Sequence, residues 1–423
     1  MQTLPGFRDF YPEEFAKRHF IFSKWREVAQ RYGFLEYDGP PLESLELYTK
    51  KSGEEIVNQL YHFVDKGERA VALRPEMTPT LARMVGARHR DYKKPMKWFS
   101  IPQLFRYERQ QKGRLREHFQ LNADIMGGGL KADVEIIALA IGVLLQLGLT
   151  EKDFRVRLSS RLVWQNFLIK LGVTSDKWER VFAVIDKMER VPWEKTEKSF
   201  LELELDQNII SQIQNAVKAR AIDDLPQVDG AGELRTIIQG LHDFGMGSCV
   251  NLDLGIVRGL AYYTDTVFEI FALDEVGNYT GRAVAGGGSY DHLIENLTGV
   301  KLSAVGFGMG DVVLGDLLRE KNLLNVSVEK PEVFVVCSDS RFENQFYEMV
   351  AYLRGSGIKT DYSLGDIVDV KKQFERASEV GAQFVVMVTH EAGAKVEVKN
   401  LMTRHQESVD EDKVIHYLRD QLK

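Results

Sequence analysis

The sequence predicts an α+β protein: a core built on an antiparallel sheet, an all-helical insertion within that core, and a separate α/β domain in the C-terminal quarter. Three observations carry this. Glu117 to Ile125 alternates cleanly, with His118, Gln120, Asn122 and Asp124 on one face and Phe119, Leu121, Ala123 and Ile125 on the other. Residues from about Arg161 to Phe244 are rich in Lys, Glu, Leu and Ile at helical spacing and carry few strand signals. From Val333 onward, short apolar strands alternate with helical stretches, the pattern of a covered, largely parallel sheet. The expected boundaries are 1–325 for the core, with its insertion at about 161–245, and 326–423 for the second domain.

Composition narrows the class. The chain has 423 residues, 44% hydrophobic and 28% charged, with a net charge of −7, which excludes disordered, collagen-like and disulfide-stapled proteins. The two cysteines, Cys249 and Cys337, supply neither a metal spacing nor a disulfide framework, so a reducing, cytoplasmic setting is expected. The N-terminal segment has no apolar run of signal-peptide type. The longest apolar run, Ile136 to Leu145, is about half a membrane span and reads as a buried helix; no membrane association is expected.

In chain order, Glu13 to Arg31 is a helix ended by Gly33, and Pro40–Pro41 break the chain. A second helix is expected over Pro75 to Gly86, with Pro75 in its first turn. Strands from Met96 to Tyr107 and from Glu117 to Ile125 form an antiparallel hairpin around a basic turn, and Ala132 to Leu147 is a helix. After the insertion, strands return at Val250–Leu254, Thr264–Ala272 and Arg282–Ala285. The Gly286–Gly288 run reads as a tight turn or a ligand border, and a helix covers Gly310 to Lys321. In the tail, strands at Val333–Cys337, Thr360–Tyr362, Phe384–Val388 and Val396–Asn400 alternate with helices at Phe342–Gly355 and Val370–Val380. Asp410–Leu422 is a final helix.

Four segments hold residues able to do chemistry. Phe105 to Glu117 carries five basic residues (Arg106, Arg109, Lys112, Arg114, Arg116) against two acids; it suits gripping a polyphosphate, and equally a solvated hairpin. Gln120, Asn122 and Asp124 are three polar residues on one strand face, which requires either a pocket or open water. Leu73 to Thr78 offers Glu76 and Thr78 at a helix start, and Arg83 to Lys97 is a basic cluster of nucleic-acid type or a solvated helix end. In Leu254 to Thr264, Arg258 lies between two glycines and is followed by Tyr262 and Tyr263; such an arginine can neutralise charge that develops at a phosphoryl or carboxylate centre. No Walker loop, zinc spacing or nucleophile triad is present, so no metal ligand set is assigned.

Taken in this order, these segments resemble the histidyl-tRNA synthetases, a family of class II aminoacyl-tRNA synthetases, over nearly the whole chain. Leu4 to Pro12 is similar to the family's opening segment, Phe34 to Leu47 to the dimer-forming motif 1, and Phe105 to Asp124 to motif 2. Leu254 to Glu269 and Ala285 to Asp291 are similar to its two histidine-specific signatures, and the tail to its anticodon-binding domain. The resemblance implies a class II catalytic sheet, activation of L-histidine with ATP and Mg²⁺, transfer to tRNA(His), and a homodimer. It further implies catalytic roles for Arg106 and Arg258, and ATP contacts from Arg106, Glu108 and Arg114. Histidine contacts would come from Glu76, Thr78, Gln120, Asp124, Arg258, Tyr262, Tyr263 and Tyr290.

The chain departs from the family pattern at three positions. Val313 stands where motif 3 normally has an arginine for the ATP γ-phosphate, for which Arg114 or Arg116 is expected to substitute. Ser289 stands where arginine usually precedes tyrosine, a change expected to be peripheral, and Asp124 stands where bacterial members often have Glu. The Val313 departure is the one feature that fits a rival, a catalytically silent histidine-binding paralogue such as the regulatory subunit of ATP phosphoribosyltransferase. Arg258 and the tail fit the ligase. Another class II synthetase, for glycine, proline or threonine, would not account for the Arg258–Tyr263 segment. The tail itself is acidic, with 12 basic against 16 acidic residues from Glu332 to Lys423, so tRNA would be held by local basic patches.

Overall fold

The structure, a computed structural model, describes residues 1–49, 58–108, 115–257, 262–365, 369–389 and 395–422. It forms two compact units, 1–326 and 327–423.

The first unit begins with α1 (Pro12–Arg31), whose Trp25, Val28 and Ala29 are buried. Then come β1 (Leu35–Glu36), β2 (Leu42–Ser44), α2 (Leu45–Thr49), β3 (His62–Val64), β4 (Ala70–Leu73) and α3 (Thr78–Arg88). The α3 helix starts three residues later than the sequence suggests. Its first-turn proline is Pro79, not Pro75, which leaves Arg74 to Met77 free to pass across the end of the sheet. Next are β5 (Met96–Ser100), β6 (Gln103–Phe105), β7 (Glu117–Met126), α4 (Leu130–Gln146) and β8 (Phe154–Ser160).

Five helices form the insertion: α5 (Arg161–Lys170), α6 (Trp178–Ile185), α7 (Trp193–Glu202), α8 (Gln207–Val217) and α9 (Ala231–Asp243). Ser160 caps α5 by accepting from Val163 N, and Asp206 caps α8 by accepting from Ile209 N. The core resumes with β9 (Val250–Leu252), β10 (Thr266–Leu273), β11 (Tyr279–Ser289), α10 (Leu293–Thr298), β12 (Ala304–Gly310) and α11 (Asp311–Glu320).

The main sheet has nine strands in the order β1-β5-β7-β12-β11-β10-β8-β9, with β6 also on β7. Among the described residues of this sheet, β1–β5 and β8–β9 pair in parallel and the other pairings are antiparallel. One face is the core. Leu121, Ala123 and Ile125 of β7 and Val305, Phe307 and Met309 of β12 pack there with α1 and α4, and Ile136 to Ile141 are buried all round the α4 helix. Among the described residues no helix is long and apolar enough to cross a membrane. The opposite face is left for the polar residues of β7.

The Gly286–Gly288 run is strand, not turn: all three lie in β11, opposite β12. The β8 and β12 strands had no clear signal in the sequence. In β12, glycine at every second position removes the polar or apolar partner that alternation needs.

The second unit holds β13 (Val333–Cys337), α12 (Glu343–Gly355), β14 (Thr360–Tyr362), α13 (Val370–Val380), β15 (Phe384–Val388), β16 (Lys395–Asn400), β17 (Gln406–Asp410) and α14 (Val414–Gln421). Its sheet, β14-β13-β15-β16-β17, is mixed, not largely parallel: β13 pairs in parallel with β14 and β15, while β15–β16 and β16–β17 are antiparallel. Helices α12 and α14 pack on one face and α13 on the other. The last helix starts at Val414 and not at Asp410, because Asp410 ends β17 and Glu411–Lys413 form a 3-10 turn.

Candidate active site

The β7 strand supplies the axis of the site. Asn122 and Asp124 are only 5% and 3% exposed, so their face is a pocket and not open to water. The neighbouring strand is built to leave room for them. Antiparallel register sets Gly306 opposite Asp124, Gly308 opposite Asn122 and Gly310 opposite Gln120. A Cβ on Gly306 would lie 1.9 Å from Asp124 Oδ1, and one on Gly308 would lie 2.6 Å from the Gln120 amide carbon. These glycines are therefore the floor of the site, a role that the sequence reading did not assign to them. The signal was in the sequence: glycine at alternate positions, in register with alternate polar residues.

Two buried carboxylates define one end. The Tyr290 hydroxyl donates to Asp124 Oδ1 at 2.5 Å, yet burial still pushes the Asp124 carboxyl up to about 7. The Tyr262 hydroxyl donates to Glu76 Oε2 at 3.0 Å and also faces the Thr78 hydroxyl. Glu76 is 5% exposed, and its other oxygen, Oε1, is buried with no hydrogen-bond partner. Burial raises the Glu76 carboxyl, while the Arg106 charge and the Tyr262 bond pull it down. An orphan buried carboxylate oxygen costs on the order of 1–3 kcal/mol unless a donor reaches it, which suits a ligand ammonium. The rings of Tyr262 and Tyr290 meet edge to face at 6.0 Å, and Tyr263 stacks at a tilt on Tyr262 at 5.0 Å. Tyr263 itself packs with Ile256, Val267 and Phe271 and closes the apolar side.

At the other end Arg106, Glu108, His118 and Gln120 line a cleft of about 710 Å³. Arg106 is aimed by its own backbone neighbours: its N–H donates to Arg116 O and its Nε to Pro75 O, both at 2.9 Å. That second bond links the β6 end to the segment carrying Glu76. Burial, with the charges of Arg106 and Arg8, pushes His118 down to about 3, so its ring is neutral.

The N-terminal segment ties this end down, which sequence reasoning did not anticipate. Arg8 donates to Glu117 at 2.6 Å and to Asp311 at 2.9 Å, Asp311 accepts from Phe119 N, and Gly6 O accepts from Arg116 N. The far wall was also missed: Asp186, Glu189 and Arg190, from the turn after α6, line the cleft together with Arg157 of β8.

Several expectations change. Arg116 lies over the Tyr107 ring, 4.2 Å from its centroid, while Val313 lines the cleft. Ser289 is not peripheral: it is buried and donates at 2.5 Å to Asp133, whose carboxyl burial raises to about 6. Much of the basic cluster is paired, Arg83 with Glu43, Arg88 with Asp91 and Lys97 with Glu135. Arg258 and Arg114 lie outside the described residues. Among the described residues no group of three or more His, Cys, Asp or Glu forms a metal-holding cluster, and both cysteines are free.

An antiparallel sheet carrying a polar strand floored by glycines, an arginine at the hairpin beside it, and a separate α/β unit is the construction of a class II aminoacyl-tRNA synthetase. Comparison with known proteins narrows this. The Histidyl-tRNA synthetase family model matches residues 6–310, and an Anticodon binding domain model matches residues 332–421. A histidine–tRNA ligase of Opitutus terrae is 43% identical, covering 99% of this chain and 98% of that one. A chloroplastic/mitochondrial histidine–tRNA ligase of Arabidopsis thaliana is 38% identical over 95% of this chain and 83% of its own. The crystal structure of histidyl-tRNA synthetase from Nostoc sp. PCC 7120 shares the fold at a TM-score of 0.80 and 24% identity, covering 99% of both chains. The chain belongs to the histidyl-tRNA synthetase family. The relatives compared are ligases, and a silent regulatory paralogue is not favoured.

Proposed function

We propose that this protein activates L-histidine with ATP and transfers it to tRNA(His). The observation that carries the reading is the pairing of two buried carboxylates with two tyrosines, Glu76 with Tyr262 and Asp124 with Tyr290, next to the Arg106 cleft. Glu76, through its unpartnered Oε1, and Thr78 receive the histidine α-ammonium. Asp124, Tyr290 and Tyr263 read the imidazole, and Gln120 orients the amino acid. Arg106 grips the ATP α-phosphate, Glu108 the adenine amino group, and Arg114 the distal phosphates. The histidine carboxylate attacks the α-phosphorus in line, and the P–O bond to pyrophosphate breaks. Arg258 and Arg106 stabilise the charge on the transferring phosphorus. The terminal ribose hydroxyl of tRNA then attacks the adenylate carbonyl, and AMP leaves. No covalent enzyme intermediate is required.

Mg²⁺ would enter with the nucleotide, held by phosphate oxygens and one or two carboxylates, and would neutralise phosphate charge. Glu269, which lines the cleft, is a suitable oxygen donor. A homodimer is supported by exposed apolar residues in and near motif 1: Leu35 on β1 at the edge of the main sheet, and Leu42, Phe63 and Val64 on β2 and β3, which flank β4 in a separate three-stranded sheet. A cytoplasmic location goes with free, buried cysteines. The test is charging of unfractionated tRNA with each amino acid: histidine alone, loaded on tRNA(His) alone, is expected. Charging with glycine, proline or threonine would refute the reading.

A further inference from the structure

Among its described lining residues the cleft is short of free positive charge for the substrate it is proposed to hold. Its described lining includes the carboxylates Glu108, Asp186, Glu189 and Glu269 and three arginines. Arg157 is already committed. It is 3% exposed, its Nε donates to Asp253 at 2.7 Å, and its two terminal nitrogens form a fork onto both oxygens of Glu189. Its guanidinium also stacks on Tyr279, 4.7 Å from the ring centroid. Arg106 is anchored on Pro75 O at the β6 end. Arg190 is different. It is exposed, it lines the same cleft from the opposite wall, and its side chain has no acidic partner among the described residues.

The neighbouring residue explains how Arg190 is held there. Glu189 binds Arg157, and Arg157 binds Asp253, which also accepts from Gly255 N at 3.0 Å. This chain of contacts fastens the turn at residues 186–190 of the insertion to the main sheet. It puts Arg190 beside the cleft with its charge unspent, since the adjacent acid is consumed by the fastening.

We propose that Arg190 binds the distal phosphates of ATP, with Glu189 as the residue that positions it. A triphosphate carries about four negative charges, and a guanidinium is suited to gripping phosphate oxygens two at a time. The helical insertion is thereby part of the nucleotide site. It supplies a cation to a cleft in which Val313 offers only a methyl-bearing surface. This rests on the cleft being the ATP site.

The test compares Arg190→Ala and Arg190→Lys with the parent full-length protein, measuring ATP and AMP affinity and histidine-dependent ATP–pyrophosphate exchange. Arg190→Ala is expected to raise the KM for ATP by about ten- to hundredfold, the value of a lost charge-assisted contact. AMP affinity and the KM for histidine should stay within about twofold, and Arg190→Lys should recover part of the loss. Because Arg190 is exposed, melting should be unchanged. A KM for ATP within twofold of the parent would overturn the proposal. So would equal weakening of AMP and ATP, which would mean the residue acts on the shape of the whole cleft. Normal exchange with impaired transfer to tRNA would also overturn it, assigning Arg190 to a tRNA phosphate. Failure of the parent itself to bind ATP would instead refute the reading of the cleft.

Discussion

Gly306→Ala should disable histidine binding without disturbing ATP. The added methyl carbon would stand 1.9 Å from Asp124 Oδ1 and 2.9 Å from the Ala123 carbonyl oxygen. The contact with Asp124 is about 1 Å or more too short, and the Ala123 carbonyl belongs to the β7 ladder, so the Asp124 side chain must yield. Its hydrogen bond from Tyr290, now 2.5 Å, is lost or badly bent. A hydrogen bond to a charged group contributes about 1.5–3 kcal/mol, so histidine affinity should fall about ten- to hundredfold. Isothermal titration with histidine and, separately, with ATP measures this. The control is Gly310→Ala, four residues along the same strand, where a Cβ meets nothing within 4 Å and histidine binding should be unaffected. Unchanged histidine affinity in Gly306→Ala, or equal losses for histidine and ATP, would refute the assignment of this strand as the floor of the amino-acid pocket.

The same carboxylate makes stability depend on pH. Asp124 titrates at about 7 folded against 3.8 ordinarily, so between those values the unfolded chain releases a proton that the folded chain keeps, and stability is lost as pH rises through that window. Asp124→Asn removes the loss: its stability advantage should grow by about 1.4 kcal/mol per pH unit from pH 4 to 7 and then level off. Urea unfolding followed by tryptophan fluorescence reads this, since all five tryptophans lie in the first unit; a pH-independent difference would contradict it. Two further variants separate binding from chemistry. Glu76→Gln should weaken histidine binding about tenfold or more by removing the charge from an otherwise unpartnered oxygen, with folding intact. Arg258→Ala should cut turnover while leaving histidine affinity nearly unchanged, and the opposite split would reassign it.

What the sequence revealed, and what it hid, follow from how far apart the interacting residues lie. The β7 face was readable because period-two alternation is local, and its polar members proved to be pocket residues. The meaning of Gly306 and Gly308 was not, since it depends on β12 lying against β7, more than 180 residues away in the chain. Arg8 looked like part of an opening segment; only folding brings it to Glu117 and Asp311. Ser289 looked peripheral because Asp133, which it bonds, lies in α4, 156 residues earlier in the chain. The tail was read as largely parallel because its first strands are apolar throughout. The Gln406–Asp410 strand, mostly exposed at the edge, has no such signature; of its residues the sequence assigns only Asp410, to the start of the last helix.

Histidine-dependent ATP–pyrophosphate exchange by the purified full-length protein tests the central claim most directly. With saturating ATP and Mg²⁺, exchange is expected with L-histidine and at background with every other amino acid. Absence of exchange with histidine, despite histidine binding, would mean a binding protein on a synthetase fold and would contradict the account.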